Sequence, residues 1–228
     1  MVISTGCSTL DRLLEGGVQP KNLTLIYGEA ETGKTTLALQ CAVNCARMGM
    51  KTLYIDSDGS FTTQRLIQIA AHDYNQIAEN ILLAKPVSFQ QQTYVIDQLE
   101  DLLTENVGLI VIDTITSLYR AELAENPKKT FRLNRELNRQ LAYLAQTARV
   151  NKKAILITSQ VRNIIQQQTL MIEPVATRVL KFWADVVLNL KPTAYRGIIE
   201  AILEKPENRK LKKCFYKITR KGIEEHAI

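Results

Sequence analysis

Residues 28–35 read GEAETGKT, which spaces two glycines, a lysine and a threonine as G-x-x-x-x-G-K-[ST]. That spacing serves phosphate chemistry. The glycines let the backbone wrap closely, so that its N–H groups face phosphate oxygens, and a helix starting at the lysine adds positive potential. Lys34 is then placed to reach the β and γ phosphates, and Thr35 to put its hydroxyl on Mg²⁺. The expected cradle comprises Gly28, Glu29, Ala30, Glu31, Thr32, Gly33, Lys34, Thr35 and Thr36.

Carboxylates supply the rest of such a site. Asp113 closes the aliphatic run LIVID, where a second Mg²⁺-shell group belongs, at the C-terminal edge of a neighbouring strand. Asp56 and Asp58 close another run, YIDSDG. They either shape a turn, which Asp and Gly favour, or put one carboxylate near the γ-phosphate to orient water. The pattern alone leaves both readings open.

Those positions require elements to hold them. Runs at 23–27, 52–55, 109–112 and 154–158 read as strands, and 34–48, 62–71, 90–103 and 128–150 as helices. Strands alternating with helices predict a parallel sheet covered on both faces, with strands that are unbroken apolar runs. After residue 184 the pattern changes. Strands at 185–190, 197–203 and 214–219, joined by short polar loops, predict an antiparallel extension of the same sheet. No internal repeat or Pro/Gly/Ser-rich linker divides the chain, so one domain over 1–228 is expected.

Bulk properties fit this class. The chain has 228 residues, 46% hydrophobic and 23% charged, enough for a sizeable core. No apolar run reaches the ~20 residues of a membrane helix, and the start lacks a signal-peptide pattern, so a cytoplasmic protein is expected. Cys7 and Cys214 stand alone in the sequence, and Cys41 and Cys45 lack two further ligands nearby, so small reduced core residues are expected. The net charge of +6 suits a polyanionic partner.

Five blocks carry a likeness together with the phosphate loop: STGCSTLDRLLEGGV at 4–18, YIDSDGSFTTQRL at 54–66, LIVIDTITSLYRAE at 109–122, LNRELNRQLAYLAQTARVNKKAILITSQV at 133–161 and ITRKGIEE at 218–225. Together they resemble the RecA-family ATPases, in the archaeal and eukaryotic recombinase branch, and the likeness runs nearly the whole chain in order. It implies a RecA-type core with ATP and Mg²⁺ as cofactors, and Lys34, Thr35 and Asp113 as the nucleotide and metal residues. Gln160 matches a strand-end residue that senses γ-phosphate and connects to a DNA-binding loop. Arg65 matches an arginine near the base, and Asp58 falls where the family has its catalytic glutamate. Segments 122–129 and 161–173 match two DNA-facing loops, both short.

Two departures qualify the likeness. Asp58 retracts the carboxylate by one carbon, and a misplacement of ~1 Å can cost ~10²-fold in rate. The core also begins almost at Met1, where the recombinases carry a further domain and a linker to the next subunit, so self-assembled filaments are not expected. Basic residues supply DNA-binding candidates: Arg120, Lys128, Lys129, Arg132 and Arg162 first, then Arg135, Arg139 and Arg149, and a second group at Lys205, Arg209, Lys210, Lys212 and Lys213 beside Phe215 and Tyr216. The bland alternative is a solvated mixed-charge surface. The resemblance implies DNA, single-stranded in the first instance, and a RadA-type recombinase as partners. Three functions compete: a nucleotide-gated mediator, which is favoured; a DNA-dependent ATPase with real turnover; and a KaiC-like signalling ATPase without DNA.

Overall fold

The computed structural model describes residues 1–160 and 173–226. The chain opens with a short helix α1 (Ser8–Leu13), then β1 (Leu23–Gly28), α2 (Lys34–Arg47) and β2 (Lys51–Asp56). Helices α3 (Thr63–Ala70) and α4 (Tyr74–Ala78) lead to β3 (Ile81–Ala84), and α5 (Phe89–Asp97) and α6 (Leu99–Leu102) to β4 (Val107–Asp113). Next come α7 (Ser117–Glu125), a 3₁₀ turn (Pro127–Lys129), α8 (Thr130–Val150) and β5 (Ala154–Gln160). Helix α9 (Glu173–Trp183) precedes β6 (Val186–Pro192), β7 (Ile198–Lys205), β8 (Lys213–Thr219) and β9 (Gly222–Glu225).

All these strands belong to one sheet, ordered β3-β2-β4-β5-β1-β6-β7-β8-β9. From β3 to β6 the neighbours are parallel; from β6 onward they are antiparallel. The expected extension is present, β6, β7 and β8 being mutually antiparallel, and its first strand, β6, joins it to the parallel part by running parallel to β1, with Leu25 opposite Val187. A parallel strand needs a crossover, and α9 serves as one. Two expectations are adjusted. Segment 90–103 is two helices, broken at Gln98, rather than one. Segment 122–129, expected as a loop, is the end of α7 followed by the 3₁₀ turn.

Alternation along each strand builds two cores. In β4, Leu109 and Val111 face the layer of α2, while Ile110 and Ile112 face the layer of α5, α7 and α8. Apolar layers cover both faces, which is why β1 is buried at every position. Helix α8 contributes Leu133, Leu137, Leu141 and Leu144, a single stripe at helical spacing. Parallel strands all end at one edge, and register fixes what meets there: Gly28 lies opposite Gln160, and Asp56 opposite Asp113. No helix among the described residues is long and apolar enough to cross a membrane.

Candidate nucleotide site

The cradle starts where β1 ends. A Cβ on Gly28 would lie 2.2 Å from the Leu190 carbonyl oxygen of β6, so only glycine lets the chain leave the sheet there. Gly33 caps α2 in the left-handed region, φ +84°, with no side chain among the described residues capping the helix's first N–H groups. Those donors are what a phosphate would take. Thr32 donates its hydroxyl to the Glu29 carbonyl at 2.8 Å, and the buried Tyr216 hydroxyl donates to the Thr32 carbonyl at 2.7 Å. The loop is thus tied to β8. Lys34 is 8% exposed and donates to the Glu29 carbonyl at 2.5 Å. Burial lowers its pKa, against the attraction of Asp113, Asp58 and Glu29.

Beside the lysine lies a cluster of hard oxygens. Asp113 is fully buried; its Oδ2 accepts from Tyr54 at 2.8 Å and from Ser60 at 3.3 Å, and its Oδ1 accepts from the Thr158 hydroxyl. Burial raises its pKa, opposed by the hydrogen bonds from Thr158 and Tyr54. The Thr35 hydroxyl lies 3.2 Å from the Ser60 hydroxyl. Carboxylate and hydroxyl oxygens of this kind suit Mg²⁺, and the loop's N–H groups and buried ammonium suit a polyphosphate. The residues present therefore fit both groups.

The two acids of the DSDG turn have different situations. Asp56 is 1% exposed; it accepts from the backbone N–H of Ser60 at 3.0 Å and of Phe61 at 3.3 Å, with Lys85 at 3.6 Å. It holds the turn together. Asp58 is exposed, and its one hydrogen bond among the described residues is from the Ser60 N–H at 3.1 Å.

Gln160 ends β5 beside Gly28, and its carbonyl accepts from Arg120 at 2.5 Å. Arg65 spans three elements: it donates to the carbonyls of Arg220 at 2.8 Å and Thr219 at 3.0 Å, and lies 3.4 Å from the Thr36 hydroxyl. It thereby links the first turn of α2 to the β8–β9 turn. Burial lowers its pKa.

The structure gathers Lys34, Thr35, Asp113 and Asp58 and brings Arg65 to Thr36. Tyr216, expected from the sequence as an aromatic of the second basic group, is instead fully buried and bonded to the loop, so it offers no face to a base. The structure adds residues that sequence reasoning missed: Ser60, which touches Thr35, Asp113, Asp56 and Asp58; Tyr54; and Thr158. None carries a motif, since each acts through contacts between elements.

The basic candidates separate. Lys128, Lys129 and Arg132 are exposed around the 3₁₀ turn, with Lys129 lying 3.8 Å from Glu122. Arg120 is engaged by Gln160, and Arg162 lies outside the described residues. Arg139 is held by Glu136 and Asp97, and Arg149 by Asp185. Three of the second group are engaged, Lys205 with the Lys181 and Ala184 carbonyls, Arg209 with Glu15 and Lys213 with Glu200, while Lys210 and Lys212 are exposed. Cys7, Cys41 and Cys45 are buried and Cys214 half-buried, all as free thiols.

Known proteins resemble this chain along nearly its whole length. The family model described as Rad51 matches residues 1–226. The DNA repair and recombination protein RadB of Methanococcus maripaludis (strain C5) is 34% identical over 216 residues, covering 94% of this chain and 96% of that one. The RadB of Thermococcus kodakarensis is 35% identical over 231 residues, covering 98% and 99%. A solved structure, described as the crystal structure of the RadB recombinase, superposes with a TM-score of 0.81 at 33% identity, covering 99% of this chain and all of that one. The chain belongs to the Rad51 family.

Proposed function

We propose that this Rad51-family chain is an ATP-gated DNA-binding protein of repair and recombination, a mediator beside a RadA-type recombinase, with slow hydrolysis at most. One observation carries the slow hydrolysis: the differing duties of the three carboxylates at the sheet edge. Asp113 is buried among hydroxyls, Asp56 is bonded to two backbone N–H groups, and Asp58 alone is exposed. Asp56 is therefore committed and cannot stand in for a longer catalytic acid. Asp58 reaches less far than glutamate by one carbon.

In this reading the loop N–H groups and Lys34 hold the β and γ phosphates. Thr35 and Asp113 would hold Mg²⁺, which would offset the phosphate charge. Arg65 borders the base side, beside Thr36. Asp58 orients water poorly, so the bound nucleotide persists. Gln160 supplies the gate. Its side chain is at the strand end beside Gly28, and its carbonyl is fixed by Arg120 of α7. A γ-phosphate contact there biases the protein toward DNA or a partner only by its differential affinity for the two states. DNA contacts are assigned to Lys128, Lys129 and Arg132, with Arg120 acting through the gate.

Steady-state ATP hydrolysis, with and without single-stranded DNA at two salt concentrations, tests the reading. We expect nucleotide affinity that Lys34→Ala abolishes, turnover well below the ~1 s⁻¹ at the low end of ordinary enzymes, and DNA affinity that falls steeply with salt. Robust DNA-stimulated turnover would make the protein an ATPase in its own right. Absence of salt-sensitive DNA binding would leave a signalling ATPase.

A further inference from the structure

Outside the cradle, one face of α8 carries Phe131, Arg135 and Asn138, spaced four and three residues apart and so stacked along one stripe about 10 Å long. Phe131 is 82% exposed. The last turn of α9 lies against the far end of the stripe, because the Trp183 indole N–H donates to the Asn138 side chain at 2.9 Å. Phe182, 71% exposed, stands edge-on to Trp183 with ring centroids 5.2 Å apart. The result is a row of three rings, two of them open to solvent, with a guanidinium between the first and the others.

The charge on this row has one sign. Arg135 and Arg132 are exposed and make no ion pair among the described residues, and Lys128 stands exposed just before the helix. Glu136 is the sole acid of α8, and it is turned aside to Arg139, which also takes Asp97. Near the end of α9, Glu204 pairs with Lys181 and Asp185 with Arg149. A protein partner could cover the rings, but it would have to bring carboxylates for three cations. A single-stranded nucleic acid brings both complements at once, π faces and a uniform negative backbone.

We propose that this stripe is a contact for single-stranded nucleic acid, with bases stacked on Phe131 and Phe182 beside the part-buried Trp183 and the backbone followed by Lys128, Arg132 and Arg135. The proposal rests on the DNA-binding reading above and extends it from the loop cations to a stacking surface.

Trp183 is the one tryptophan of the chain, so its emission reports on this surface directly. A fluorescently labelled oligodeoxythymidylate is titrated with the full chain while anisotropy and tryptophan emission are recorded together. Emission is expected to quench in step with the rise in anisotropy. Phe131→Ala and Phe182→Ala should each weaken binding about tenfold, and Arg135→Ala should reduce the logarithmic salt slope by about 0.7. Both rings are exposed, so these variants should retain the parent's circular dichroism. If anisotropy rises while emission stays constant and the variants bind like the parent, the stripe is excluded and DNA binds elsewhere. If anisotropy does not rise, the stripe and the DNA-binding reading both fall. Quenching by a recombinase but not by the oligonucleotide would make the stripe a protein contact and overturn the proposal.

Discussion

Ser60 shows how much of the site turns on one small residue. Its N–H is shared by Asp56 and Asp58, and its hydroxyl lies between Thr35 and Asp113. The turn it organises keeps Asp56 folded inward and leaves Asp58 at the mouth. Because Asp58 is exposed, a longer side chain fits there without displacing packed atoms, and stability should stay within ~0.5 kcal/mol. Asp58→Glu is therefore expected to raise ATP turnover, up to the ~10²-fold that a 1 Å correction can yield. Single-turnover hydrolysis at saturating ATP measures this. A fall in rate would mean that the site is built around the shorter acid.

Helix α9 is fastened to the sheet at its C-terminal end. Lys181 lies 2.6 Å from Glu204, and Lys205 donates to the Lys181 carbonyl at 2.6 Å. Glu204 also accepts from Tyr27 at 2.6 Å and from Asn189 at 3.1 Å, and the Lys181 ammonium sits 4.6 Å above the Tyr27 ring. Tyr27 immediately precedes Gly28, so the fastening joins α9 to the strand that enters the cradle. Burial pushes the Glu204 pKa up, but the hydrogen bonds from Lys181, Tyr27 and Asn189 outweigh it and hold the pKa below the ordinary value. The depressed folded-state pKa means that this stabilisation is present above the unfolded pKa and is lost as pH falls through the folded one. Glu204→Gln should cost about 1 kcal/mol at neutral pH, discounted for partial exposure, and should flatten the acid limb of stability. Urea melts of both proteins between neutral and acidic pH test this; parallel acid limbs would remove Glu204 from the account.

At the scale of the whole molecule, the sheet edge that would bind nucleotide works against stability. Asp113 is a carboxylate kept at the heart of the fold, its pKa raised by burial. A folded-state pKa above the unfolded one means that the native state holds more protons in the window between them, so stability falls as pH rises through that window. Asp113→Asn removes the buried charge and keeps the volume. It should raise the melting temperature of the nucleotide-free protein by a few degrees, given ~2–4 °C per kcal/mol at this size. The same variant should lose the extra stabilisation conferred by ATP with Mg²⁺. Thermal scans with and without ATP and Mg²⁺ check both; a variant less stable than the parent without ligand would show that the hydrogen bonds of Asp113 outweigh its desolvation.

What the sequence determined by itself is local. Eight consecutive residues specify the phosphate loop, because backbone curvature, helix start and lysine reach all follow from spacing within one segment. The aliphatic runs specify buried parallel strands, and the acid at the end of β4 could be placed for the same reason. Tertiary structure decided what depends on pairs distant in the chain. It set β6 parallel to β1, since orientation depends on a crossover through α9 that periodicity did not reveal. It distinguished Asp56 from Asp58, because a turn's hydrogen bonds, not residue type, determine which carboxylate is committed. It brought the β8–β9 turn carbonyls to Arg65, and it drew Lys205, Arg209 and Lys213 of the basic group into contacts with α9, Glu15 and Glu200. Charge and burial are properties of neighbours, and apart from the phosphate loop and the strand ends, the neighbours here are set by folding.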